Sequence, residues 1–158
     1  WNKLFRRETI EKHGLTFLTT RSSNDFTFAC TACALVAKIT LLPAPYVYYR
    51  RGRTGNLTTR RNKHFTDYMQ ALIALKENVR RYGVYERLRP AFRKYALFSC
   101  SYELSVCNNK EEREAKLAGF GGVCGNALCD RLRGWYSSGL LRYYYRLKSE
   151  MRSLWERL

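Results

Sequence analysis

Asp25 stands in the stretch SSNDFTF (residues 22–28), and Arg50, Arg51, Arg53 and Asn56 fall in the run RRGRTGNLTTRR (residues 50–61). A single carboxylate acts as a general base when a substrate hydroxyl lies within hydrogen-bond reach. Guanidinium groups bind phosphate oxygens bidentately. One base and one diphosphate clamp are the minimum for moving a group from a nucleotide-activated donor to a hydroxyl, with positive groups stabilising the departing nucleoside diphosphate. From the residues alone, an Asp at a helix start, where capping residue types gather, is more often structural than catalytic.

Other chemistry is sparse. The two histidines are His13, in the last turn of an expected helix, and His64, beside Lys63 after the arginine run. No serine or cysteine has a partnered base at recognisable spacing, and no carboxylate cluster suggests a metal site built by the protein. Cys30-Thr-Ala-Cys33 has CxxC spacing, but it lies inside FACTACALVA, the middle of an expected buried helix, with no second pair to complete a metal set. The six cysteines read as buried, reduced thiols. GFGGVCG resembles a phosphate-binding glycine loop only superficially, because Cys124 stands in place of the third glycine and a helix precedes it; it reads as a flexible joint.

Several elements must position these groups. RETIEKHG reads as a helix closed by Gly14, and Leu15 and Phe17 alternate as in a short strand. Ser22, Ser23, Asn24 and Asp25 open a second helix, placing Asp25 at the positive end of its dipole. KITLL and YVYYR, rich in β-branched and aromatic residues and parted by Pro-Ala-Pro, read as two strands. Phe65, Tyr68, Leu72, Leu75, Val79 and Tyr82 follow helical spacing up to Gly83, and Leu88, Phe92, Tyr95, Phe98, Tyr102 and Val106 mark another helix. NNKEEREAK reads as a solvated turn and helix start. In the tail, Leu140, Tyr144, Leu147, Met151, Leu154 and Leu158 line one face of a helix crowded with arginine, which suits either an anionic membrane interface or packing on the preceding helices.

The net charge of +16 (29 Lys and Arg against 13 Asp and Glu) points to an anionic partner or to a basic solvated surface. Nucleic acid is disfavoured, because most aromatics sit at core spacing within helices instead of alternating with basic residues on one surface. No run of eighteen apolar residues forms a spanning segment. The chain begins at Trp1 and is expected to be the later part of something longer.

The order WNKLFRRETIEKHGLTF, SSNDFTF, AKITLLPAPYVYYRRGRTGNLTT resembles the C-terminal half of bacterial family 2 glycosyltransferases, which have the GT-A fold. Trp1, Lys3, Leu4, Phe5, Phe17, Asn24, Asp25, Phe28, Ile39, Tyr49 and Arg50 carry the match, which covers residues 1–60 well and the helices to residue 106 more loosely. The resemblance implies an α+β, mainly helical chain: the C-terminal part of a GT-A α/β fold with two short strands, then a helical extension. Its expected parts are a truncated catalytic domain (1–63), a helical hairpin (64–108) and a basic amphipathic tail (109–158). By that resemblance Asp25 is the base of an inverting sugar transfer to a hydroxyl acceptor in cell-envelope or capsule polysaccharide synthesis. Trp1, Lys3 and Asn24 would lie near the bound sugars, and Arg50, Arg51, Arg53 and Asn56 would close over the donor diphosphate. The implied partners are a nucleotide-sugar and a saccharide or lipid-linked acceptor, with residues 140–158 on the inner face of a cytoplasmic membrane. The family's divalent cation, Mg or Mn, is held by an Asp-x-Asp, and no such triplet occurs in this sequence.

Overall fold

The computed structural model describes residues 2–48 and 65–139. Regular structure there is helical: α1 (Arg7–His13), α2 (Asn24–Leu35), α3 (Phe65–Arg81), α4 (Tyr85–Ser105), α5 (Lys110–Cys124) and α6 (Asn126–Ser137). No strand occurs among the described residues, which overturns the α+β expectation. Residues 15–18 and 36–48 are irregular. A strand is held by ladder hydrogen bonds to a neighbour and by side chains packed on one face. Leu41 is 87% exposed and Tyr48 95% exposed, so the second of these conditions is unmet. Pro43 and Pro45 also remove two backbone donors between the apolar runs. High β-propensity alone therefore leaves 39–48 irregular and exposed.

The chain divides into two compact units, Trp1–Leu88 and Arg89–Leu158. In the first, α1 ends at Gly14, which adopts φ 56° and returns its N–H to the Glu11 and Ile10 carbonyls. This left-handed cap is the conformation that glycine reaches without a Cβ penalty. Gly83, at φ 69°, follows α3 in the same way. Leu15, Phe28 and Ala32 form a small core on which Phe5, Ile10, Leu35 and Tyr82 pack. The Tyr82 hydroxyl donates to the His13 carbonyl (2.5 Å), and the two rings meet edge to face, tying the end of α3 to the end of α1.

Helices α2 and α3 pack along their lengths through a partly polar seam. Thr27 Oγ1 donates to the Ala71 carbonyl at 2.8 Å, and Asn78 Nδ2 donates to Thr31 Oγ1 at 3.2 Å. Thr27 and Thr31 are fully buried, so these bonds offset the cost of enclosing hydroxyls. Tyr68, Met69, Ala71, Leu72, Leu75 and Val79 supply the apolar side of α3, as the sequence spacing predicts for Tyr68, Leu72, Leu75 and Val79.

In the second unit the buried face of α4 is Phe92, Ala96, Ser99, Cys100, Glu103 and Leu104, whereas Tyr95 and Phe98, expected inside, are exposed. GFGGVCG is not a joint: α5 runs through it to Cys124, with Phe120 and Val123 buried. NNKEEREAK does start a helix. Asn109 Oδ1 accepts from the Glu112 N–H (2.8 Å) while Glu112 Oε2 accepts from the Asn108 N–H (3.1 Å), a reciprocal cap. Asn109→Ala is expected to cost about 1 kcal/mol in urea denaturation. The Asn108 N–H, and secondarily Lys116, hold the Glu112 carboxyl below its ordinary value, against an opposing effect of burial. A lowered folded-state value means this contribution is present above the unfolded glutamate range, about 4.3, and is lost as pH falls through the folded value. The cost of Glu112→Gln should accordingly shrink in acid, and a constant cost from pH 7 to pH 3 would contradict the bond from the Asn108 N–H to the charged carboxylate.

Candidate functional site

The site is built on the first turn of α2. Ser23 precedes the helix in a left-handed conformation (φ 59°) and makes no side-chain capping bond. A non-glycine residue there is uncommon and carries strain. Its neighbour explains how the turn is held. The Ser22 N–H donates to Asp67 Oδ2 at 3.0 Å, and the Thr20 hydroxyl donates to the Ser22 carbonyl at 2.9 Å. Asp67 lies in the first turn of α3, so the α2–α3 packing fixes the backbone just ahead of Asp25.

Asn24 and Asp25 are the first two residues of α2. Asn24 is half-buried, and its Oδ1 accepts the Asp25 N–H at 2.8 Å, satisfying one of the otherwise unpaired donors of the first turn. Asp25 is exposed and stands inside the helix, not at the cap position. Capping in the strict sense therefore does not account for the carboxylate, although its charge is favoured by the helix dipole.

Three aromatic residues far apart in sequence meet beside this turn. Phe17 stacks on Phe28 with centroids 4.3 Å apart, and Phe5 meets Phe28 edge to face at 5.2 Å. Such pairs contribute about 0.5–1.5 kcal/mol beyond the area they bury. Phe5 thus anchors the irregular N-terminal segment that carries Lys3. The Lys3 ammonium donates to Asn2 Oδ1 at 2.7 Å on the surface. Burial pushes the Cys30 thiol up from its ordinary value, Cys33 pushes the same way, Lys3 pulls it down and Asp25 pushes it up. Lys3 and Asp25 therefore both act electrostatically on Cys30, one turn into α2.

Of the expected site residues, Asn24 and Asp25 open α2, and Lys3 acts electrostatically on Cys30 of the same helix. Trp1, Arg50, Arg51, Arg53 and Asn56 lie outside the described residues, as do His64 and the tail 140–158. Asp67 was not anticipated, and Ser23 was expected only as a helix-start residue; their sequence signal is that both are helix-start residue types. Cys30 and Cys33 are free, half-buried thiols in the helix expected for them.

Among the described residues no group of three or more His, Cys, Asp or Glu is placed to hold a metal ion. No helix among them is long and apolar enough to cross a membrane. No protein-family model, curated protein or solved structure matches the chain.

Proposed function

We propose that this chain is the acceptor-side part of a nucleotide-sugar-dependent glycosyltransferase of family 2 type, with Asp25 as the general base. The observation that carries this is that Asn24 and Asp25 open α2, with Phe5 and Phe17 packed on Phe28 of that helix and Lys3 near enough to act on its Cys30. Lys3, Phe5, Phe17, Asn24, Asp25 and Phe28 are all residues of the family-like pattern, drawn from three separate stretches of chain.

In the proposed reaction the Asp25 carboxylate takes the proton of an acceptor hydroxyl. The acceptor oxygen attacks the anomeric carbon, and the bond from that carbon to the diphosphate oxygen breaks with inversion. The leaving nucleoside diphosphate carries off the electron pair, and Arg50, Arg51, Arg53 and Asn56 answer its charge. Trp1 and Lys3 face the sugars. The acceptor is a saccharide or a lipid-linked one, the product serves cell-envelope or capsule polysaccharide, and the work is done on the cytoplasmic face of the membrane with 140–158 resting on anionic lipid.

The donor half, including any Asp-x-Asp metal ligands, belongs to sequence ahead of Trp1. The isolated chain is therefore expected to transfer no sugar from any nucleotide-sugar in a radiolabel assay, and the coding sequence upstream is expected to carry an in-frame Asp-x-Asp. Transfer by the 158 residues alone would remove the division of labour, and an upstream stop codon or an unrelated upstream domain would remove the family reading.

A second, non-catalytic reading is favoured by one observation. Tyr95 and Phe98 are exposed on α4 close to the exposed Arg89, Arg93 and Lys94. Basic and aromatic side chains on one surface suit nucleic acid. Filter binding against salt separates the two readings: tight RNA or DNA binding that falls steeply with salt favours the second.

A further inference from the structure

We propose that Cys100 and Cys124 are a redox-active pair that hydrogen peroxide converts into a disulfide joining α4 to α5. Their sulfurs lie 3.5 Å apart, within hydrogen-bond contact, although the residues sit on different helices. A disulfide needs a separation of about 2.05 Å, so the sulfurs must close by about 1.5 Å. Helix α5 ends at Cys124, so the Cys124 thiol sits on its last turn.

The two thiols have different roles. Cys100 is buried, and its contact with Cys124, then burial, push it well above the ordinary thiol range. Either sulfur can donate in this contact. Cys124 is half-exposed, so a small oxidant reaches it first. Cys129, buried and near enough to act on Cys100, is the nearest competitor. Cys107 is engaged elsewhere, its Sγ donating to the Glu103 carbonyl at 3.3 Å.

The chemistry balances with peroxide as the sole oxidant. The Cys124 thiolate attacks one peroxide oxygen, the O–O bond breaks, and the departing hydroxide takes a proton to become water. This leaves a sulfenic acid on Cys124. The Cys100 sulfur, giving up its proton, then attacks the Cys124 sulfur. The S–S bond forms, the S–O bond breaks, and the second oxygen leaves as water. Two thiols lose two electrons and two protons, and one peroxide gives two waters.

The test treats the reduced 158-residue chain with hydrogen peroxide and maps the bridged peptides by mass spectrometry. The expected product has lost two hydrogens and links the peptides of Cys100 and Cys124. The bridge tethers residues on two helices, so the oxidised chain should melt higher by about 5–10 °C. Cys129→Ser should bridge as the parent does, while Cys100→Ser should leave a sulfenic acid on Cys124 that dimedone traps. The mapping on the parent chain stands even where a variant fails to fold. A bridge from Cys124 to Cys129, scattered bridges among all six cysteines, or unchanged thiols would each overturn the proposal.

Discussion

Lys116→Met is expected to destabilise the chain by about 3–5 kcal/mol, the largest single stability loss that the described ion pairs predict. Lys116 and Glu103 are enclosed, with side chains 4% and 1% exposed. The ammonium has three N–H donors and meets three acceptors: Glu103 Oε2 at 3.2 Å, the Glu103 carbonyl at 3.3 Å and Glu112 Oε1 at 3.3 Å. Every donor is used, which is the condition under which a buried charge is tolerated. Met keeps the length of the side chain and removes the charge. The Glu103 carboxylate then loses the Lys116 cation, with little water to replace it. A second variant separates the cost of breaking the pair from the worth of having it. Glu103→Leu with Lys116→Met removes both charges while keeping apolar volume, and buried pairs so replaced are often neutral or stabilised. We expect the double variant to lie within about 1 kcal/mol of the parent, giving a large coupling in a double-mutant cycle. Urea unfolding followed by circular dichroism reads all four corners. A loss below about 1 kcal/mol for Lys116→Met would mean that the charge is hydrated and the enclosure wrong.

The buried pair also shows where sequence reading stops. In KEEREAK, Lys116 is one basic residue among several charges and looks solvated. Its burial depends on Glu103, thirteen residues earlier and on another helix. Local signals, by contrast, read correctly. Gly14 and Gly83 stop helices because the left-handed cap is a property of one residue. The α3 stripe is legible because it repeats every turn, and the α2 start because Ser23, Asn24 and Asp25 belong to the residue types that open helices. On α4 the spacing gave a helix but the wrong rotation. Tyr95 and Phe98 outweigh Ala96, Ser99 and Cys100 in apolar bulk, yet the smaller residues face inward.

Strand pairing is nonlocal in a stronger sense. Ile39, Leu41, Leu42, Tyr46, Val47 and Tyr48 have the right side chains for a sheet and are all exposed. β-Propensity measures fit to a pleated, half-buried surface, and these residues have no such surface to fit. The site was legible as residue types and illegible as geometry. Nothing in the sequence links Asp67 to Ser22 across 45 positions, and that contact sets the backbone from which Asp25 projects.

Asp25→Asn carries the largest expected effect on activity. Under the proposed function, in the chain joined to the donor-binding half which that reading requires, kcat should fall by about 10²–10⁴-fold, the usual contribution of a positioned general base. The replacement is nearly isosteric, and Asn, like Asp, is a good residue near a helix start, so α2 should persist, with the dipole interaction weakened by about 0.3–1 kcal/mol. Circular dichroism and the melting temperature should therefore barely move while transfer collapses. KM for the nucleotide-sugar should stay near the parent's, because the base acts on the acceptor hydroxyl and the donor diphosphate is held by other residues. Asp67→Asn supplies the contrast. It weakens the hold on the Ser22 N–H at the α2–α3 seam and should lower stability together with rate, since it positions the turn without touching a reacting atom. If Asp25→Asn lowers melting temperature and rate in parallel, as Asp67→Asn should, then Asp25 is a structural carboxylate at a helix start and the base lies elsewhere. If the rate is unchanged in a folded Asp25→Asn enzyme, the assignment of the base fails outright.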